Sequence, residues 1–375
     1  MRSGIGLSRL HKSRAVACIS IALLSFACCE GIARLIFYYN YKRFETRRQI
    51  FSGELTPYPS FKLCSGQPYL NYIPTPGYEG KGYRHNSQGY RGKSVEFHKP
   101  PGVARVLTLG GSTTYSWGVP EGSTYPELLE QRLMETGVPG FEKVEVINGG
   151  TPSATTAEML NYYHFKFHYY SPDLVILNPG GNDARALNGP YYHPDYSDSR
   201  MQIEVFRPLP YYGRLAMRIR TLALLLIPLM LGPQPASQVA FNHERLPPMA
   251  VWYVPPRTGN NKKEKEIPDS EIAFKHNLES LIREAKSDGA GILLVPSLSN
   301  PLLPYEPQEG VSDEIRMLKE ISEAEDVPFV PIDPKALPAD CWLDNCHINH
   351  AGNAAKARLI APYAVSELQR AAHGD

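Results

Sequence analysis

The chain has 375 residues, room for one large or two modest domains at roughly 150 residues each. Apolar residues at 42% and charged residues at 21% exclude a wholly disordered chain and a membrane protein of many spans. Lys and Arg total 39 against 38 for Asp and Glu, so the net charge of +1 provides no basic excess to draw the chain to nucleic acid. Pro (34) and Tyr (23) are over-used, which predicts many proline-punctuated loops, and 6 cysteines are too few for a disulfide scaffold.

The first predicted element is an apolar run behind a basic tail, residues 1–14, that carries Arg2, Arg9, Lys12 and Arg14. Residues 15–29 alone are too short to cross a bilayer, but Glu30 and Arg34, one helical turn apart, can neutralise each other. With that pair, residues 15–39 form a single transmembrane helix ending in an aromatic belt. A cleaved signal peptide ending near Ser25-Phe26-Ala27 is the alternative, and we adopt the uncleaved anchor. A single anchor places the body that follows outside the cytoplasm, periplasmic or extracellular, although Lys42, Arg43, Arg47 and Arg48 balance the basic tail.

Residues 40–103 are rich in Gly, Pro, Tyr and Asn without long apolar periodicity, and read as an extended arm with a few short strands. From residue 104 to the end the pattern alternates. Strands are predicted at 106–109, 144–147, 174–177, 291–295 and 329–332, and helices at 125–135, 155–170, 270–286, 312–323 and 351–371. Such alternation predicts a parallel sheet with helices on both faces and reactive groups at the carboxyl ends of its strands. An insertion at about 185–268 interrupts it and holds a second apolar run, 222–231. That run is too short to span, and reads as a helix packed over the site or, alternatively, lying on the membrane.

Three predicted strands end in polar or glycine-rich loops: Gly110-Gly111-Ser112-Thr113-Thr114, Asn148-Gly149-Gly150-Thr151-Pro152-Ser153 and Pro179-Gly180-Gly181-Asn182-Asp183. The first exposes a hydroxyl on a tight turn, and Asn182 supplies an amide of the kind that stabilises an oxyanion. Near the carboxyl terminus Asp344 and His347 stand three apart, so the carboxylate can fix the imidazole tautomer and the ring can take a serine proton. The Gly-x-Ser-x-Gly elbow of ordinary α/β-hydrolases is absent. Ser112 and Asp344 could also be plain helix caps, and Asp183 reads as a brace for the Asn182 loop. His350 is expected to face outward. His164 and His168 read as helix-surface residues, since no third ligand accompanies them. Cys341 and Cys346 could bridge or stay as free thiols, and as a pair they are too sparse for zinc.

These blocks, in this order, resemble the SGNH (GDSL-like) hydrolase superfamily over residues 105 to about 368, and Asn86-Ser87-Gln88-Gly89-Tyr90-Arg91-Gly92 is similar to its membrane-anchored bacterial members. The resemblance implies an α/β, flavodoxin-like three-layer sandwich with a central parallel sheet. It also implies Ser112 as nucleophile, His347 as base and Asp344 as the acid that orients it. Ser112, Asn182 and a backbone N–H of the second loop would line the oxyanion hole. The family places glycine where this chain has Ser153, so a left-handed backbone there would put that donor in question and leave Gly150 as the substitute. The implied function is a membrane-anchored serine esterase that forms an acyl-enzyme and removes acyl groups from an envelope glycan or lipid. An O-acyltransferase with the same triad and a non-catalytic carbohydrate-binding scaffold are the alternatives. No cofactor, metal or nucleic-acid partner is expected.

Overall fold

The computed structural model describes residues 14, 16–35, 63–67, 69–80, 82–183, 221, 268–302 and 311–373. The chain divides into two units, Met1–Phe51 with Arg207–Val251, and Ser52–Phe206 with Trp252–Asp375.

In the first unit helix α1, Val16–Leu35, has 20 residues and a mean hydropathy of 2.1. At 1.5 Å per residue it is about 30 Å long, the thickness of a bilayer's hydrocarbon core. By length and composition it can cross a membrane or act as a signal sequence, and its Ile19, Leu23, Leu24 and Phe26 side chains are exposed. The expected Glu30–Arg34 pair forms at 2.9 Å. Thr221 adds two donors to the same carboxylate, its backbone N–H at 2.9 Å and its hydroxyl at 3.0 Å. The acid is thereby neutralised and hydrogen-bonded within an apolar helix. The aromatic belt after Leu35, the basic residues that follow it, and the insertion except Thr221 and Pro268 lie outside the described residues.

The second unit is built on a parallel sheet of β5 (Val103–Gly110), β6 (Lys143–Gly150), β7 (Leu174–Asn178) and β8 (Gly291–Leu294), in the order β6-β5-β7-β8. Every residue of β5 and β7 is buried, as expected of strands covered on both faces. Side chains alternate between two cores. Leu107, Leu109, Ile147, Val175, Leu177, Ile292 and Leu294 face α4 (Thr156–Tyr162), α5 (Pro268–Ser287) and α6 (Val311–Ala324). Ala104, Val106, Val144, Leu174, Ile176 and Leu293 face α3 (Tyr125–Thr136) and α7 (His350–His373). The result is three layers, helix on sheet on helix.

Two expectations are corrected. Residues 329–332 form no strand. Only a parallel bridge joins Phe329 to Leu294, because Pro328 and Pro331 lack the N–H groups that would extend a ladder. Residues 155–170 are not one regular helix either. After α4 the chain widens into a π-turn at Tyr163–Phe167 and tightens into a 3-10 turn at His168–Tyr170. Tyr162, Tyr163, Phe167 and Tyr170 are all buried along this stretch.

Ahead of the sheet, four short strands pair as two antiparallel ribbons, β1 (Cys64–Gln67) with β2 (Asn71–Pro74), and β3 (Glu79–Gly80) with β4 (Tyr83–Arg84). Because β6 and β7 flank β5 on opposite sides, the chain reverses its course at β5. In a parallel sheet that is where a crevice opens at the carboxyl ends of the strands.

Candidate active site

β5 leaves the sheet through Gly110 and Gly111 into α2, Ser112–Tyr115. A side chain at Gly111 would put its Cβ 2.5 Å from Nδ2 of Asn182, so only glycine lets the loop after β7 close over the turn after β5. Ser112 heads the short helix, and its Oγ lies 2.8 Å from Nε2 of His347. Nδ1 of the same ring donates to Oδ2 of Asp344 at 2.7 Å. Oδ1 of Asp344 accepts the backbone N–H groups of Cys346 at 2.9 Å and His347 at 2.8 Å, so the carboxylate is fixed from both sides. The three residues that the sequence places 232 or more positions apart at their extremes, Ser112 and the Asp344–His347 turn, thus form one continuous hydrogen-bonded chain.

The electrostatics follow from these contacts. Burial disfavours a charged imidazole at His347, but the Asp344 hydrogen bond and the adjacent Cys346 outweigh it, and the ring's pKa is raised above the ordinary histidine value. Burial would likewise raise the Asp344 carboxyl, yet its bonds to His347 and the two backbone N–H groups hold it below the ordinary aspartate value. A hydroxyl within hydrogen-bond reach of such an oriented ring can lose its proton to it.

The other strand ends converge on the same place. Asn182 donates one Nδ2 hydrogen to Ala154 O at 2.9 Å, which leaves its second for another acceptor. Asp183, buried, accepts the Thr156 N–H at 3.0 Å and the Thr156 hydroxyl at 2.7 Å, tying the Asn182 loop to the start of α4. Ser153 has φ +67°, the left-handed conformation. Among the described residues no hydrogen bond takes its N–H, whereas Gly150 donates its N–H to Asn148 Oδ1 at 3.0 Å. Gly150 is therefore no substitute donor. A left-handed non-glycine residue costs about 1–2 kcal/mol, and glycine would give back about 0.4–1 kcal/mol through a freer unfolded chain. Ser153→Gly is thus expected to raise stability by about 0.5–1 kcal/mol in chemical denaturation with turnover retained; a destabilised variant would show that the serine side chain supports the loop.

Several supporting residues were assigned no role in the sequence, although Arg91 lies in the Asn86–Gly92 segment noted there. Arg91 is fully buried, and its guanidinium donates to Tyr115 O at 3.1 Å, Ser116 O at 2.8 Å and Val119 O at 2.9 Å, with Glu121 as counter-ion. Ser116, at φ +61°, is where α2 stops, so Arg91 gathers the carbonyls that the end of this helix leaves unpaired. His85 Nδ1 donates to Thr75 O at 2.9 Å, and its Nε2 accepts the Tyr115 hydroxyl at 2.8 Å. Burial lowers His85 to about 4 and keeps it neutral for both bonds. Tyr72 donates to Pro152 O at 2.9 Å, next to Ser153. The segment before the sheet therefore braces both the serine turn and the second loop. Beneath them Lys356, buried, donates to Asn178 Oδ1 at 2.6 Å and lies 4.1 Å from the Tyr125 ring centroid. Burial brings it down to about 7. Glu314, pushed up to about 8 by burial, accepts the Ser297 hydroxyl at 2.8 Å and occupies the space where any side chain at Gly180 would have to go.

The remaining candidates stay apart. His350 contacts Ser123 Oγ at 3.1 Å on the exposed side. His164 pairs with Glu284 at 2.7 Å and His168 with Tyr163 O at 3.2 Å, both away from the serine. Cys341 and Cys346 are both free thiols.

A family model described as the GDSL-like Lipase/Acylhydrolase family matches residues 108–355. An arylesterase of Vibrio mimicus is 32% identical over 80 residues, 21% of this chain and 38% of that protein, so the match spans well under half of that relative. Among solved structures, a lipase/acylhydrolase from Enterococcus faecalis is similar at 17% identity with a TM-score of 0.41, over 70% of this chain and 96% of that one. An acetylxylan esterase from Geobacillus stearothermophilus is similar at 16% identity with a TM-score of 0.38, over 71% and 94%.

Proposed function

Because this chain belongs to the GDSL-like lipase/acylhydrolase family, we propose that it hydrolyses carboxylic esters through an acyl-enzyme formed on Ser112. The observation that carries the reading is the unbroken relay of 2.8 Å from Ser112 Oγ to His347 Nε2 and 2.7 Å from Nδ1 to Asp344 Oδ2. In this mechanism Ser112 Oγ attacks the ester carbonyl as its proton passes to His347 Nε2, and Asp344 holds Nδ1–H so that Nε2 is the accepting nitrogen. The Ser112 and Ser153 N–H groups and the second Asn182 amide hydrogen receive the developing oxyanion. His347 then returns the proton to the departing alcohol, and water attacks the acyl-enzyme by the reverse route.

The proposed substrate is an acyl ester of a glycan or lipid outside the cytoplasm. Among the described residues one apolar helix, α1, precedes the body, which supports an anchored enzyme facing the envelope.

A fluorophosphonate probe, which reacts with activated serines, tests the assignment on protein that turns over p-nitrophenyl acetate. Labelling is expected at Ser112 alone, and turnover with the label mapped to another residue would overturn it. Acyl transfer to an added oligosaccharide that outpaces hydrolysis would reassign the same acyl-enzyme to a transferase.

A further inference from the structure

We infer that Asp344, Cys346 and His347 form a binding site for a thiophilic divalent cation, of the zinc and cadmium class, that switches the serine relay off. The carboxylate, thiol and imidazole ligand atoms all lie within 4.8 Å of one another on a single turn of chain. Cys346 Sγ is 3.7 Å from His347 Nδ1. A tetrahedral ion bound to nitrogen at about 2.0 Å and sulfur at about 2.3 Å separates those two ligands by about 3.5 Å, so the pair already stands near chelating distance. The Asp344 oxygen, 2.7 Å from Nδ1 with a proton between them, needs to open by only about half an ångström to become the third ligand. The backbone N–H groups of Cys346 and His347 hold the other carboxylate oxygen, which keeps the turn in place while this occurs.

Charge and proton balance favour the exchange. Binding releases one proton, from the Cys346 thiol, while the single proton of the neutral His347 ring moves from Nδ1 to Nε2. The dication, the thiolate and the carboxylate then sum to zero in a half-buried site, with a solvent molecule as fourth ligand. The consequence for catalysis rests on the esterase reading. With Nδ1 on the metal, the neutral ring's remaining proton sits on Nε2, and the lone pair that would accept the Ser112 proton is gone. Cation and relay are mutually exclusive uses of one imidazole.

The test is a cadmium titration of the full chain in detergent after chelator treatment, followed by the ultraviolet thiolate-to-cadmium absorption and, in parallel, by p-nitrophenyl acetate hydrolysis. Because Cys18, Cys28 and Cys29 are exposed on α1, the signal is read as the difference between the parent and Cys346→Ser. The expected result is a difference band of one equivalent, loss of turnover along the same titration, recovery with chelator, and at least about tenfold weaker inhibition of Cys346→Ser, each protein's inhibition being read relative to its own metal-free turnover. No difference band, or equal inhibition of both proteins, overturns the site. A difference band with turnover untouched upholds cation binding and instead overturns His347 as the base.

Discussion

Replacing Ser112 with alanine is expected to lower kcat/KM for p-nitrophenyl acetate by about 10⁴-fold or more, with the melting temperature unchanged within about a degree. The size of the effect follows from the geometry, because the hydroxyl removed is the one group that both faces the imidazole at 2.8 Å and stands on the loop crossed by Asn182. Nothing else in the turn can replace it, since Thr113 is a neighbour on a different face of α2 and the Thr114 hydroxyl already donates to Asn178 Oδ1 at 3.3 Å. The fold should be indifferent. The backbone of Ser112 holds its place through Trp117 N–H to Ser112 O at 2.9 Å, a bond alanine retains. Residual turnover close to the parent's would show that Ser112 is not the nucleophile, whatever the stability of the variant.

Asp344→Asn is expected to lower kcat by about 10³–10⁴-fold while leaving the protein folded. Aspartate accepts three hydrogen bonds here, two from backbone N–H groups on Oδ1 and one from His347 on Oδ2. Asparagine has only one oxygen. Two backbone donors outbid one ring, so the oxygen stays with the backbone and the amide NH₂ turns toward Nδ1. The ring must then accept at Nδ1 and carry its proton on Nε2, which is the wrong tautomer to receive a proton from Ser112. The pH profile separates this from simple damage. The base works only when neutral, so activity rises with pH through the His347 pKa. With that pKa raised, the acid limb of kcat/KM in the parent lies above about 6.5. Removing the carboxylate removes its main support, so the residual activity of Asp344→Asn should show an acid limb moved to lower pH. An unshifted limb would mean that Asp344 does not govern the ring.

The same linkage has a stability counterpart. A histidine whose pKa is raised by folding stabilises the native state fully below its unfolded value near 6.5, and that contribution fades as pH rises through the folded pKa. The relay is therefore most active in the range where it contributes least to stability.

Much of the architecture was legible in the chain. The largely apolar runs of β5 and β7 and the helical periodicity of α3, α5, α6 and α7 give the parallel sheet and its two helical layers, because burial on both faces favours near-continuous apolar strands. Ends and irregularities were harder to read. The π-turn at Tyr163–Phe167 interrupts a stretch whose pattern fits a regular helix, and the lost strand at 329–332 depends on which N–H groups its neighbour needs. The requirement at Ser153 was visible only as a residue-type mismatch; its φ of +67° shows that the loop keeps the glycine-like backbone with a serine in it.

Three short blocks with fixed order, ending in Ser112, Asn182 and the Asp344–His347 turn, were determined by sequence alone, since chemistry of this type demands particular side chains on tight, local turns. Local pattern likewise determined α1, because crossing a hydrocarbon layer or entering an export pathway requires only length and apolarity. Tertiary structure decided what those blocks meet. It brought the Ser112 hydroxyl to His347 and buried Arg91, Glu314 and Lys356 beneath or beside the site. It also set the Cys346 sulfur beside the ring that the serine uses. Arginine, glutamate and lysine on a chain default to the solvent, and only the packing of distant segments can make their burial, and the work they do there, readable.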